Sequence, residues 1–312
     1  MSASGLLAVL IGFVGDWNWF ADLFAHLRPQ YCLWLALAWF GSAWRRQRLS
    51  LLLASGGLVL NALALAPHLR SWARPERSTQ PGRTWSLATI NLLQGNQQTA
   101  RVERYLRETQ PDIVVLQEVS ARWAVALESL SDLYPHRLVQ ASKDQFGLGL
   151  FSREKPVEHS VRAVGNRVGD LAIFGTWDSA GRRFSIAGIH PDKPDEGWKV
   201  ANRAIYFGRI AEWADERVKN KEAVVVIGDF NATPSSASMR AFSRRTGLRN
   251  ANDGKIFSAT WNVWQPHRLL IDHAFLSRDW LLQECTIGPA IGSDHRPLIV
   301  RARLPGISAS PP

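Results

Sequence analysis

Cysteine is nearly absent from this chain of 312 residues, which has only Cys32 and Cys285. Two cysteines so far apart supply neither a disulfide framework nor a CxxC pair, which excludes a disulfide-stapled scaffold and a cysteine-rich zinc module. No repeat of solenoid length is visible, which excludes a stacked-repeat architecture. Charge is scarce at one end: residues 1–68 hold only Asp16, Asp22, Arg28, Arg45, Arg46 and Arg48 among runs of Leu, Ala and Trp. The remainder carries 33 of the 37 Lys+Arg and 25 of the 27 Asp+Glu, a net charge of +8. With 46% hydrophobic residues overall, that part can bury a core, so a disordered or collagen-like chain is excluded as well.

The apolar end reads as a membrane region. Leu49 to Ala66 is 18 uncharged residues, ~27 Å as a helix at ~1.5 Å per residue, against a hydrocarbon core of about 30 Å. Tyr31 to Trp44 is a second candidate, with Trp34, Trp39 and Trp44 suited to the interface, and Ser4 to Phe13 is the weakest third. Two or three transmembrane helices over residues 1–68 are expected. Arg45, Arg46 and Arg48 crowd a tight turn between the second and third segments, while Arg70, Arg74, Arg77 and Arg83 are spread over a looser stretch. Retention of the tight cluster in the cytoplasm puts the rest of the chain outside. The expectation is a multi-pass protein of the cell membrane with an extracytoplasmic domain. Residues 69–84 read as a linker and 305–312 as a proline-rich tail.

From residue 85 to 304, short β-branched runs alternate with helical patterns. The expected strands are 86–91, 112–117, 147–152, 169–177, 183–190, 223–228, 270–276 and 297–303; the expected helices are 99–109, 120–130, 199–218 and 235–246. A single α/β domain of about 220 residues follows.

The strands are informative at their ends. Leu87-Ala88-Thr89-Ile90 runs into Asn91, Ile113-Val114-Val115-Leu116 into Gln117-Glu118, and Ala223-Val224-Val225-Val226-Ile227 into Gly228-Asp229-Phe230-Asn231. Carboxylates beside such apolar runs are costly unless a cation or donors meet them. Residues two apart in extended chain share a face, so Asp229 and Asn231 point together. In Leu270-Ile271-Asp272-His273 only one of the polar pair can face the same cleft. Asp272 is chosen because a carboxylate is the costlier group to leave unpaired. His190 closes another strand, and Ser293-Asp294-His295-Arg296-Pro297 sets an acid and an imidazole just before the last one.

These stretches resemble the endonuclease/exonuclease/phosphatase superfamily, which includes DNase I-like nucleases, inositol-polyphosphate phosphatases and sphingomyelinases. Thr89-Ile90-Asn91, Leu116-Gln117-Glu118, Gly188-Ile189-His190, Gly228-Asp229-Phe230-Asn231, Ile271-Asp272-His273 and Gly292-Ser293-Asp294-His295-Arg296-Pro297 carry the resemblance across the soluble part. The apolar N-terminus is similar to that of a membrane-bound bacterial branch. The resemblance implies a four-layer α/β/β/α sandwich and a metal-dependent phosphoric-ester hydrolase. Glu118, with Asn91 nearby, and Asp294 would hold Mg²⁺, with Mn²⁺ as a substitute. Asp229 would orient or deprotonate the attacking water, and Asn231 would fix a phosphate oxygen. Asp272 would hold His295 against the phosphate or the water, and His190 would donate to the transition-state oxygens.

The substrate expected is a phosphate ester or pyrophosphate carried on a lipid, because anchoring concentrates the enzyme at a membrane-borne substrate. The alternative is a membrane-tethered nuclease acting on DNA, which the basic balance of the domain also suits. A third reading, an inactive binding module on the same fold, is opposed by the intact acidic set. Trp261 and Trp264 are candidates for an aromatic lip beside the site.

Overall fold

The structure is a computed structural model that describes residues 1–73, 82–265 and 267–306. Half of the linker expected over 69–84 (residues 74–81) and most of the tail expected over 305–312 (residues 307–312) lie outside the described residues. The N-terminal region folds as α1 (Ser2–Ile11), α2 (Trp19–Ala25), α3 (Arg28–Trp44) and α4 (Arg48–Leu65). The Asn18 side chain caps α2 by accepting from the Phe20 and Ala21 amides. Pro29 sits in the first turn of α3, where its missing N–H costs nothing. Helices α3 and α4 form an antiparallel hairpin, with Leu35 against Gly57, where an added Cβ would stand 3.0 Å from the Leu35 methyls. Arg48–His68 is the one stretch, among the described residues, long and apolar enough to cross a membrane. Helix α3 is 17 residues and α1 only 10.

Among the described residues twelve strands follow: β1 (Gly82–Asn91), β2 (Ile113–Gln117), β3 (His136–Gln140), β4 (Leu148–Ser152), β5 (Glu158–Ala163), β6 (Leu171–Ser179), β7 (Arg182–Ile189), β8 (Ala223–Asp229), β9 (Arg249–Asn250), β10 (Asp272–Leu276), β11 (Leu281–Ile287) and β12 (Leu298–Pro305). They form two six-stranded sheets, ordered β11-β12-β1-β2-β4-β3 and β5-β6-β7-β8-β10-β9. The helices are α5 (Thr99–Thr109), α6 (Ala121–Ala126), α7 (Gly197–Lys219) and α8 (Ala237–Thr246).

The layering follows from which faces are apolar. Leu87, Val115, Ile186, Val225 and Ala274 meet between the two sheets in one buried cluster with Trp85, Trp177 and Trp280. On the outer face of the first sheet, Ala88, Val114 and Leu116 pack with Leu106 of α5 and Trp123 of α6. On the outer face of the second, Val224, Val226 and Ala187 pack with Phe207 and Ile210 of α7 and Phe242 of α8. Alternate residues of each central strand serve opposite faces, which is why those strands read as unbroken apolar runs. The result is the expected α/β/β/α sandwich.

Eight of the strands match the expected ones within a few residues. β1 begins at Gly82, inside the expected linker, and β12 runs on to Pro305, the first residue of the expected tail. The two-sheet domain is moored to the N-terminal helices at several points. The Asp22 carboxylate accepts from the Ala237 amide at 2.7 Å, and His26 Nδ1 from the Thr233 amide at 3.3 Å. The Gln30 amide donates to the Arg268 carbonyl at 2.6 Å, and the Gly254 amide to the His68 carbonyl at 2.8 Å. These contacts use α2, the residues that lead into α3 and its first turn, and the short turn that follows α4. The turn bearing Arg45 and Arg46 is therefore at the far end of the hairpin.

Candidate active site

The parallel pairs β1–β2 and β7–β8 and the antiparallel pairs β8–β10 and β1–β12 bring one set of strand ends to a common edge. Strands β1, β2, β7 and β8 arrive there by their C-termini, delivering Asn91, Glu118, His190 and Asp229. Strands β10 and β12 start there, so Asp272 pairs with Asp229 across the ladder and His295 lies just before β12. Gly228 permits the turn: its φ is +155°, and an added Cβ would stand 2.1 Å from the Ile189 carbonyl oxygen.

The side chains converge. Asn91 Nδ2 donates to Glu118 Oε1 and to Asp229 Oδ2, each at 3.1 Å, while its Oδ1 accepts from the Leu93 amide. The amide thus shows N–H groups to both carboxylates. In this arrangement Asn91 holds the two carboxylates at a fixed spacing, beside the position expected for the cation. Glu118 Oε2 accepts from the Gln94 amide at 2.9 Å. Glu118 itself is held at φ +59°, a left-handed conformation that a glutamate adopts only when its surroundings enforce it.

Asp229 is 1% exposed and is the hub. Its Oδ1 accepts from the Asn231 amide at 2.8 Å, and its Oδ2 lies 3.5 Å from His190 Nε2 and 3.6 Å from His295 Nε2. Burial pushes this carboxyl up, but the two imidazoles and the Asn231 amide outweigh it and hold the group well below the usual range. His295 Nδ1 donates to Asp272 Oδ2 at 2.8 Å. Burial would lower the His295 pKa, yet Asp272 and Asp229 together raise it to about 9. His190 moves up for the same reason, its burial overcome by Asp229, and its Nδ1 donates to the Gln145 carbonyl at 3.1 Å.

Asn231 spends one amide hydrogen on the Pro191 carbonyl at 3.0 Å, leaving the other uncommitted. Asp294 is half-buried on the loop before β12 and accepts from the Trp261 indole at 2.9 Å. It makes no hydrogen bond to Glu118, Asn91 or Asp229. Of the two tryptophans expected as a lip, Trp261 is thus tied to Asp294 and Trp264 is 64% exposed.

His273 is fully buried on the opposite face, donating to the Ala232 carbonyl and accepting from Asn250. Burial lowers its pKa to about 4, so it is a neutral structural histidine, and Asp272 is the residue that enters the cleft. Sequence patterning missed Arg203, 2% exposed, whose guanidinium donates to the Asn231 carbonyl at 2.9 Å and the Asp192 carbonyl at 3.3 Å. It also missed Thr260, whose hydroxyl accepts from the Ile271 and Asp272 amides. An arginine in the first half of an amphipathic helix carries no signal that it will be buried.

The donor set suits a divalent cation. Three buried acids (Glu118, Asp229 and Asp272) meet here, and burial pushes the Asp272 carboxyl up from its usual range, so a cation would offset the cost of ionising all three. Asp272 Oδ1 is buried without a hydrogen-bond partner. Atoms of Asp229, Asp272 and His295 also lie within 4.8 Å of one another. His295, however, has one nitrogen committed to Asp272 and the other turned toward Asp229, and the protonated ring has no lone pair to give.

Comparison with known proteins gives the same picture. The pattern of the Endonuclease/Exonuclease/phosphatase family matches residues 88–295. Among solved structures, TDP2 from C. elegans is similar with a TM-score of 0.59 and 16% identity, over 72% of this chain and 76% of that one. The human Nocturnin catalytic domain with bound sulfate gives 0.58 and 20%, over 73% and 98%. An endonuclease/exonuclease/phosphatase from Bacteroides vulgatus gives 0.60 and 20%, over 71% and 99%. At these identities the likeness is one of fold. No curated protein matches the sequence.

Proposed function

The chain belongs to the Endonuclease/Exonuclease/phosphatase family, and from that premise we propose a membrane-anchored, Mg²⁺-dependent phosphoesterase acting on a lipid-linked phosphate or pyrophosphate. Hydrolysis of a phosphate ester is the chemistry common to the activities in the family's name. Glu118, with both oxygens at the cleft, and Asp294 are the ligands proposed for the cation, the remaining positions being filled by water. Bound there, Mg²⁺ would neutralise phosphate charge and stabilise the leaving oxygen.

The chain's own groups do the rest. Asp229, kept ionised by its neighbours, accepts a proton from the attacking water or orients it. The His295 imidazolium, held by Asp272, and His190 donate to phosphate oxygens as their charge grows. The free amide hydrogen of Asn231 takes a further oxygen. Asn91 keeps Glu118 and Asp229 at a fixed spacing.

The observation that carries the lipid reading is the mooring of the site to the apolar helices: the Thr233 amide, two residues after Asn231, donates to His26 at the head of α3. A site so close to the hairpin lies near the headgroup level of a bilayer that the hairpin spans. Exposed Leu33, Leu37 and Phe40 on α3 and Leu49, Leu52 and Leu63 on α4 support the anchoring. The arginine turn at the far end of the hairpin then supports an extracytoplasmic domain in the cell membrane.

The test is a side-by-side assay of the full chain with Mg²⁺ on a polyprenyl pyrophosphate in vesicles and on supercoiled plasmid DNA. Lipid turnover without nicking is expected. Nicking without lipid turnover would make the protein a tethered nuclease.

A further inference from the structure

Between the head of α3 and the two-sheet domain lies a second cavity, of about 920 Å³, outside the cluster of acids and imidazoles. Four buried polar atoms on its walls have no hydrogen-bond partner among the described residues: His26 Nε2, Gln30 Oε1, Thr233 Oγ1 and Arg296 Nε. His26 is 6% and Thr233 5% exposed. Buried groups left unpaired are costly; His26 Nε2, Thr233 Oγ1 and Arg296 Nε can each donate to an acceptor oxygen, while Gln30 Oε1 can only accept and would need a donor hydroxyl or water.

The charge of the cavity says which kind of ligand it suits. Lys255, Arg268 and Arg296 all line it, and among the described residues no carboxylate pairs with any of them. Glu284, the one acid on the wall among the described residues, accepts from the Thr286 hydroxyl. The cavity therefore favours an anion with several acceptor oxygens, which is the chemistry of a phosphate.

A further feature extends the site toward the hydrocarbon. Leu33 lines the cavity and also begins an exposed stripe on α3, continued at helical spacing by Leu37, Phe40 and Trp44. A cationic polar chamber opening on an apolar helical track has the two-part chemistry of a phospholipid. The same walls back the candidate site, since Arg296 follows His295 directly and Thr233 follows Asn231 by two.

We propose that this cavity seats the phosphate of an anionic phospholipid whose acyl chains lie along α3, clamping the domain to the membrane surface. The proposal rests on the membrane anchoring argued above, though not on the identity of the substrate.

The test is intact-complex mass spectrometry of the full chain in a neutral detergent, titrated with dioleoylphosphatidylglycerol, dioleoylphosphatidylcholine or inorganic phosphate. One phosphatidylglycerol should bind per chain, at least tenfold more tightly than phosphatidylcholine or inorganic phosphate. Lys255→Gln/Arg268→Gln should lose at least tenfold of that affinity while its thermal unfolding stays within a few degrees of wild type. Thr233→Val is a second variant that should weaken binding without changing charge. Equal binding of the two lipids, or an unchanged affinity in both variants, overturns the proposal. Inorganic phosphate binding as tightly as phosphatidylglycerol would make the cavity a free-anion site and overturn the lipid source. Flotation with phosphatidylcholine vesicles reports anchoring separately: a chain that floats but shows no lipid preference sinks the seat alone, and one that stays in solution sinks the anchoring beneath it.

Discussion

Replacing Asp272 with Asn removes the carboxylate that orients His295 while keeping nearly the same volume. In the native chain the imidazolium is favoured by the interval between 6.5 and about 9, a net of about 3 kcal/mol that remains after Asp272 and Asp229 have overcome the cost of burial. Asp272 supplies the larger share, through both its charge and the 2.8 Å hydrogen bond. In Asp272→Asn, burial should then weigh more heavily and bring the His295 titration well below its native value. Nitrogen-detected NMR of the ring, followed against pH in metal-free protein, reads this directly. The stability profile should change with it. Because the folded value is above the unfolded one, the imidazolium stabilises the fold fully below pH 6.5, and that contribution is lost as pH rises through about 9. Thermal stability of the metal-free wild type should therefore decline across that window, while the variant's decline should be smaller. Hydrolysis should fall by between about a hundredfold and ten-thousandfold, the range for an acid or base in proton transfer. A His295 ring still titrating near 9 in Asp272→Asn would refute the coupling on which the reasoning stands.

Other expectations follow from single contacts. Glu118→Gln should raise the Mg²⁺ concentration for half-maximal hydrolysis at least tenfold and abolish the rise in melting temperature on adding Mg²⁺; an unchanged Mg²⁺ response would remove Glu118 from the cation site. Arg203→Met leaves the Asn231 and Asp192 carbonyls without their donor inside the protein, so denaturant unfolding should show a loss of about 3 kcal/mol. A loss below about 0.5 kcal/mol would mean that Arg203 is not holding the turn. Trp261→Phe frees Asp294 from the indole, and a drop of a few fold to about tenfold in kcat with an unchanged melting temperature is expected; full activity would show that Asp294 needs no such tether.

The parts of the fold hidden from sequence reading have a common location. The unanticipated strands β3, β5, β9 and β11 are the four outer strands of the two sheets. An outer strand is half-solvated, so it carries charged residues, as in Glu158-His159-Ser160-Val161-Arg162, and loses the apolar run that marks a central strand. Central strands buried on both faces announced themselves, and their polar terminations announced the site. The choice of Asp272 over His273 came from period-two alternation plus the cost of an unpaired carboxylate, and His273 does face away. What could not be read were groups that act through the backbone. The Gln94 amide and the Gln145 carbonyl hold Glu118 and His190, and any residue could supply those atoms. The orientation of the Asn91 side chain was hidden for a related reason. Residue type says that an amide is present but not which end of it meets the carboxylates.

The most direct test of one metal-dependent acid–imidazole cluster hydrolysing a membrane-borne phosphoester is phosphate release from a polyprenyl pyrophosphate in vesicles. Wild type and Asp229→Asn would be compared in identical preparations, each with Mg²⁺ and after chelation. Release by the wild type that disappears on chelation, returns with Mg²⁺ and falls at least a thousandfold in Asp229→Asn is the expected result. Equal release by the two proteins, or release indifferent to chelation, would contradict it.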